Sequence, residues 1–161
     1  MIKKIFFTLF LLLTLPVNSY SAGSADSGVV KTNYEKAVAH IKQAKKYEKK
    51  NKIKKSNKRY EKALKLLIKS NKEKPNNADT LNYLGFTTRK LGDYKNGEKF
   101  YLEGLAIEQD HIGINEYLGE LYVITNRIDL AKERLKILKN CDCEEYDQLR
   151  KIIQGEKKSK Y

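Results

Sequence analysis

Two cysteines, two histidines and one pair of adjacent glutamates are the side chains of this 161-residue chain best equipped for chemistry. Cys141 and Cys143 flank Asp142, and Glu144 and Glu145 follow directly. Two soft sulfur ligands with a carboxylate between them suit a thiophilic metal such as zinc or copper. Two thiolates do not complete a zinc site, however, and His111 is the only candidate third ligand. The same pair can close as a disulfide across a turn, or stay as free or intermolecularly paired thiols. An oxidising compartment favours the disulfide.

The remaining inventory argues against an enzyme. His40 follows the apolar positions of its segment, and His111 sits beside Asp110 in a turn-like stretch, so both read as surface residues. Glu144 and Glu145 are neighbours, which on a helix point about 100 degrees apart, and a helix-capping role accounts for Glu145. The sequence holds no glycine-rich phosphate loop and no nucleophile, histidine and carboxylate set within a supporting motif.

Charge is the next chemical feature. Residues 31–74 carry 17 basic and four acidic side chains, whereas residues 75–161 carry 14 basic and 15 acidic ones. Such a field attracts anionic membrane surfaces, acidic proteins or nucleic acid, against the simpler reading of a solvated lysine-rich helix face. The chain opens with Lys3 and Lys4, an apolar run over 5–17 and a small-residue stretch over 19–25. That layout is a secretory signal with an apolar run too short for a span of about 20 residues. Residues 1–25 are therefore expected to be a signal peptide and flexible start, and the mature chain to be periplasmic or secreted. Export, and the lack of a recognisable binding module, disfavour nucleic acid, so no nucleic-acid partner is expected.

The elements that would position these groups are helices. Tyr34, Ala37, Val38, Ile41 and Ala44 share one helical face, and so do Tyr60, Ala63, Leu64, Leu67 and Ile68. Between them, residues 45–58 offer only Tyr47 and Ile53 as large apolar groups and read as a frayed helix end and loop. Two aligned segments follow. Gly85 and Gly119 stand 34 residues apart, each inside Tyr-Leu-Gly, with the turn residues Gly92 and Asn126 at the same offset. Helices are expected over 78–91, 94–108, 112–125 and 130–139, capped by Asn76 or Asn77, by Asp93 and by Asp129. Asp142 with Glu145 makes a capping-box-like start to a last helix.

On Leu81, Leu84, Gly85, Gly92, Tyr94 and Tyr101, and again on Leu118, Gly119, Tyr122, Asn126, Ala131 and Leu135, the chain resembles the tetratricopeptide-repeat family over roughly residues 44–145. Gly97 and Gly104 stand where that family has alanines, which suggests looser packing. Ala63 and Pro75 fit the family's second helix and closing proline, so the basic segment is a divergent first repeat whose first helix is displaced by an insertion. The resemblance implies an all-α, short superhelical solenoid of about three helix pairs with a C-terminal capping helix. Residues 26–154 form the domain, with repeats at 33–77, 78–111 and 112–141, a capping helix at 143–154 and a basic tail at 155–161.

The resemblance also implies a concave groove lined by the first helix of each repeat. Asn82, Phe86, Arg89, Lys90, Glu116 and Glu120 fall on it, with Phe86 as an exposed apolar anchor and Arg89 and Lys90 beside it for an acidic group. The expected function is an exported protein–protein interaction module or scaffold of the bacterial cell envelope, without catalysis or cofactor. A metal-binding or thiol-redox accessory role through Cys141 and Cys143 is the alternative. Expected partners are an envelope protein or peptide, an anionic membrane surface through residues 31–74, and a second copy of the chain covering the open edges of the array.

Overall fold

Three tight turns of one design fold the chain into helix pairs. The computed structural model describes residues 30–159, so the leader-like residues 1–25 and the last two tail positions lie outside the described residues. Within it run α1 (Asn33–Glu48), α2 (Ile53–Glu73), α3 (Ala78–Lys90), α4 (Tyr94–Ile107), α5 (Ile112–Ile124), α6 (Ile128–Leu138) and α7 (Glu144–Ile153). Asn51, Gly92 and Asn126 sit between the members of the three pairs with φ of 53°, 93° and 59°. After each, an amide N–H reaches back five residues: Lys52 to the Tyr47 carbonyl, Asp93 to Thr88 and Arg127 to Tyr122. This is a left-handed helix stop, available at low cost only to Gly and Asn.

The pairs α1–α2, α3–α4 and α5–α6 then stack, with α2 on α3, α4 on α5, and α7 closing the last pair by packing on both α5 and α6. The array is an all-α solenoid of three helix pairs with a capping helix. Asn77 accepts the Thr80 N–H at the start of α3, and Asp93 accepts the Asn96 N–H at the start of α4. Two other expected caps differ. Arg127 occupies the cap position of α6 without a side-chain capping bond, leaving Asp129 inside the first turn, where its charge complements the helix dipole. Cys143 occupies the cap position of α7, likewise without a side-chain capping bond, because Asp142 stands one residue too early, in the left-handed region at φ 47°.

The lysine-rich stretch 45–58 is not a loop. α1 continues through Glu48 and α2 starts at Ile53, so only four residues connect them. Buried small residues allow this: Ser56 of α2 is fully buried and donates its hydroxyl to the Ala44 carbonyl of α1, while Lys52, Lys54, Lys55 and Lys58 around it stay exposed. The expected insertion is present as helix. α2 has 21 residues where α4 has 14, and Asn51 precedes Gly92 by 41 positions where Gly92 precedes Asn126 by 34.

The glycines set close contacts. A Cβ on Gly104 would lie 2.5 Å from Ile114 Cδ1, and one on Gly97 would lie 3.1 Å from the Gly85 carbonyl oxygen. The two missing alanines therefore mark tighter approach between helices, the opposite of the looser packing expected. Gly85 and Gly119, equivalent in sequence, face different neighbours: Tyr101 of α4 in one case and Leu149 of α7 in the other. Gly85→Ala should cost about 1–2 kcal/mol, an overpacking cost of about 1–3 offset in part by about 1 of helix propensity. Its Cβ would meet three ring atoms of the fully buried Tyr101 at 2.5–2.9 Å. Gly119→Ala should cost less, because Leu149 meets it with the methyl ends of a flexible chain. Urea denaturation of the two variants checks the order, and equal losses would contradict it.

Two clusters hold the array together. Ala37, Ile41, Tyr60, Ala63, Leu67, Leu81, Leu84 and Phe86 form the first, and Tyr101, Ile114, Leu118, Leu121 and Ala131 belong to the second. Among the described residues no helix is long and apolar enough to cross a membrane.

Candidate functional site

The first helices of the pairs, together with α7, line a groove of about 660 Å³. α1 contributes Lys45 and Glu48, with Lys49 just after it; α3 contributes Phe86, Arg89 and Lys90; α5 contributes Glu116, Tyr117 and Glu120; α7 contributes Glu145 and Gln148; and Ile53 and Tyr94, at the starts of α2 and α4, stand at its edge. Five of the six groove residues expected from the sequence stand together here. Asn82 does not line it. Its side chain is buried one turn deeper, with Nδ2 2.7 Å from where a Cβ on Gly113 would be, so Gly113 leaves the room that Asn82 fills.

Phe86 is not an exposed anchor. It is 1% exposed, stacked edge-on to Tyr60 at 5.8 Å and tilted against Tyr117 at 5.0 Å, with the Lys45 ammonium 4.6 Å from its centroid. α1 and α5 reach over it from either side. Sequence reasoning placed it on the right face of α3, but the rings that cover it come from residues 26 and 31 positions away, which a linear pattern does not register.

The two cations beside it are also committed within the protein. Arg89, 2% exposed, donates from Nη1 to the Tyr117 carbonyl at 2.7 Å and from Nη2 to Glu120 Oε2 at 3.3 Å, bridging α3 to α5. Its guanidinium also lies about 6 Å from the Tyr101 and Tyr117 rings, close enough for cation–π attraction. Lys90 pairs with Glu48, bridging α3 to α1, and Glu48 accepts the Tyr60 hydroxyl as well. A groove drawn as a cationic grip for a carboxylate is therefore a surface of alternating, mutually paired charges with aromatic rings beneath. Burial holds the Tyr60, Tyr101 and Tyr117 phenols far above their ordinary range, with the Glu48 carboxylate adding to the effect at Tyr60. The rings stay neutral; Tyr60 and Tyr101 are fully buried, and of the three Tyr117 lines the groove.

The chemistry-bearing residues outside the groove do not converge. Cys141 and Cys143 are joined as a disulfide with Cα atoms 5.1 Å apart, between α6 and α7. His111 caps α5: its Nδ1 accepts the Ile114 N–H at 3.2 Å and its Nε2 lies 3.3 Å from Asp79. Both ring nitrogens are thus occupied, and the third-ligand role considered for His111 does not fit. His40 lies 3.3 Å from an Arg59 nitrogen, and burial together with that charge lowers its pKa. Among the described residues no three His, Cys, Asp or Glu side chains gather as a metal-binding group.

No family model matches the sequence, and no curated protein matches it. Solved structures do. The first tetratricopeptide (TPR) domain of Spaghetti (RPAP3), solved with an HSP90 peptide SRMEEVD, aligns at a TM-score of 0.54 and 19% identity, over 78% of this chain and 97% of that one. The fold is that of a TPR array. The NMR structure of the first TPR domain of human RPAP3 gives 0.55 at 19% identity, over 74% and 91% of the two chains. The Arabidopsis OM64 TPR domain gives 0.50 at 14%, over 78% and 99%. Identities this low carry the TPR fold and leave the groove's chemistry to its own residues.

Proposed function

We propose that this TPR-like array is a non-catalytic protein-interaction module that captures an extended peptide segment in the groove between α1, α3, α5 and α7. The observation that carries this reading is the groove itself: about 660 Å³, lined mainly by α1, α3, α5 and α7, with aromatic rings beneath paired charges of both signs. Such a surface offers the half-buried Tyr117 and the exposed Ile53 and Tyr94 for apolar contact and fixed polar groups for orientation. The likeness to a TPR domain solved with a bound peptide supports it at the level of fold.

The module is proposed to work in the bacterial cell envelope, periplasmic or secreted. The basic and apolar leader pattern of residues 1–25 supports export, and a disulfide between Cys141 and Cys143 suits an oxidising compartment. Exposed lysines along α1 and α2, among them Lys42, Lys46, Lys54, Lys55 and Lys58, support an anionic membrane surface as a place where the module is held.

A random peptide library displayed against the immobilised protein tests the peptide-capture reading. Enriched sequences should converge on a motif. Ile53, 55% exposed at the groove's mouth, can be changed to glutamate without touching the core, and Ile53→Glu should weaken an enriched peptide about tenfold with unchanged helicity. Unchanged affinity, or a library that yields no motif, would sink it.

A further inference from the structure

We propose that the groove wall built by α5 and α7 takes a basic segment, and that the chain's own tail beyond α7 is its resident occupant. The proposal rests on the groove being a peptide site, and it names the kind of peptide.

The tail is steered there by the backbone. α7 stops at Gly155, whose φ of 75° sends the chain back on itself, and the N–H groups of Glu156 and Lys157 both bond to the Lys151 carbonyl, at 2.9 and 3.2 Å. The chain bends at Glu156 and Lys157, and exposure alternates along it: Glu156 and Lys158 face water, while Lys157 and Ser159 are half-buried against the array. Lys157 Nζ donates to Gln148 Oε1 at 2.7 Å, and the Ser159 hydroxyl lies 3.4 Å from Glu120 Oε2, a contact across 39 positions of sequence. Gln148 and Glu120 are both groove-lining residues, and Glu120 Oε2 is the oxygen already bonded to Arg89.

Charge agrees with this placement. The tail over 155–161 has three lysines and one glutamate, and the wall it meets carries Glu116, Glu145 and the Glu120 carboxylate that Arg89 already pairs with. A ligand presenting an amine and, two residues on, a hydroxyl would reproduce the two contacts. An acidic ligand would have to displace Glu120 from Arg89 and Glu48 from Lys90. Because the tail is tethered, its effective concentration is on the order of millimolar or higher, so even a weak contact keeps the wall occupied. An effective concentration ten times the intrinsic Kd weakens a competing peptide about tenfold.

The experiment compares the full chain with a chain ending at Gly155, both isotope-labelled for NMR, with a synthetic peptide of residues 155–161 as probe. The peptide should shift the amides of Glu120 and Gln148 saturably in the shortened chain, and the full chain should need about tenfold more peptide for the same shift. A peptide carrying Lys157→Glu and Ser159→Ala should lose this binding, a control that changes nothing in the folded protein. Equal titrations of the two chains, no shift in the shortened chain, or equal binding of the altered peptide would each overturn the proposal. Tail contacts in the full chain that vanish on dilution would place the tail in a second copy's groove and overturn the intramolecular strap. A shortened chain that binds the tail peptide but enriches nothing from a library would keep the strap and defeat the capture of external peptides. Equal enrichment by both chains would do the reverse.

Discussion

Phe86→Ala should destabilise the protein by about 3–5 kcal/mol, the usual cost of emptying an aromatic site in a packed core. The ring is 1% exposed and joins three helices: α3 carries it, Tyr60 of α2 meets it edge-on, and Tyr117 of α5 lies against its other side. Removing it also leaves the Lys45 ammonium without the ring face 4.6 Å away. Since small domains are stable by only about 5–15 kcal/mol, a loss of this size brings the variant close to unfolding at 37 °C. Urea denaturation followed by circular dichroism measures it, with Leu102→Ala as a control because Leu102 is 49% exposed and should cost under about 1 kcal/mol. A Phe86→Ala loss no larger than that of the control would return Phe86 to the role of a surface anchor.

Arg89→Ala should cost about 3–5 kcal/mol as well, for an electrostatic reason. The guanidinium is buried between α3 and α5, where it satisfies the Tyr117 carbonyl and neutralises the buried Glu120 carboxylate. Truncation removes the positive partner and leaves the negative charge in a poorly solvated site. An apolar pair of similar volume avoids that imbalance, so Arg89→Met combined with Glu120→Leu should be less destabilised than Arg89→Ala alone. Equal or additive losses in the double variant would show that the ion pair itself, rather than charge balance, supports the α3–α5 contact. The measurement is chemical denaturation of both variants under the same salt conditions.

The parts of this fold that were legible in the sequence are local. The 34-residue spacing of Gly85 and Gly119, the left-handed stops at Gly92 and Asn126, and the caps Asn77 and Asp93 each act within one or two turns of chain, so residue type and spacing suffice to find them. Asn51 performs the same stop, but lysines on both sides hide the apolar rhythm that would have framed it, and Ser56 gives no hydrophobic signal for a buried contact. The groove was legible as a set of positions and not as a state. Whether Arg89 and Lys90 reach outwards depends on Glu120 and Glu48, which arrive from other helices, and only the stacking of the pairs brings those carboxylates within reach. Packing distance was likewise hidden. A glycine in place of an alanine reads as a gap until the neighbouring helix is seen to have moved in.

The length of α2 has a geometric meaning of its own. Ala63, Leu67 and Ser70 stand 34 positions ahead of Gly97, Tyr101 and Gly104, all of them buried, whereas Asn51 stands 41 ahead of Gly92. The seven additional residues therefore lie between the turn and Ala63. Seven residues are nearly two whole helical revolutions, so they rotate the helix by only about 20° and keep its apolar stripe in phase with the rest of the stack. Three or five residues would have swung Leu67 away from its neighbours. An addition close to whole revolutions instead acts as a spacer, carrying the α1–α2 tip outwards by about 10 Å without disturbing the helices behind it. Lys49 and Ile53 ride on that tip, and the depth of the groove on this side is thereby set by a count of residues that leaves the angular register of the core untouched.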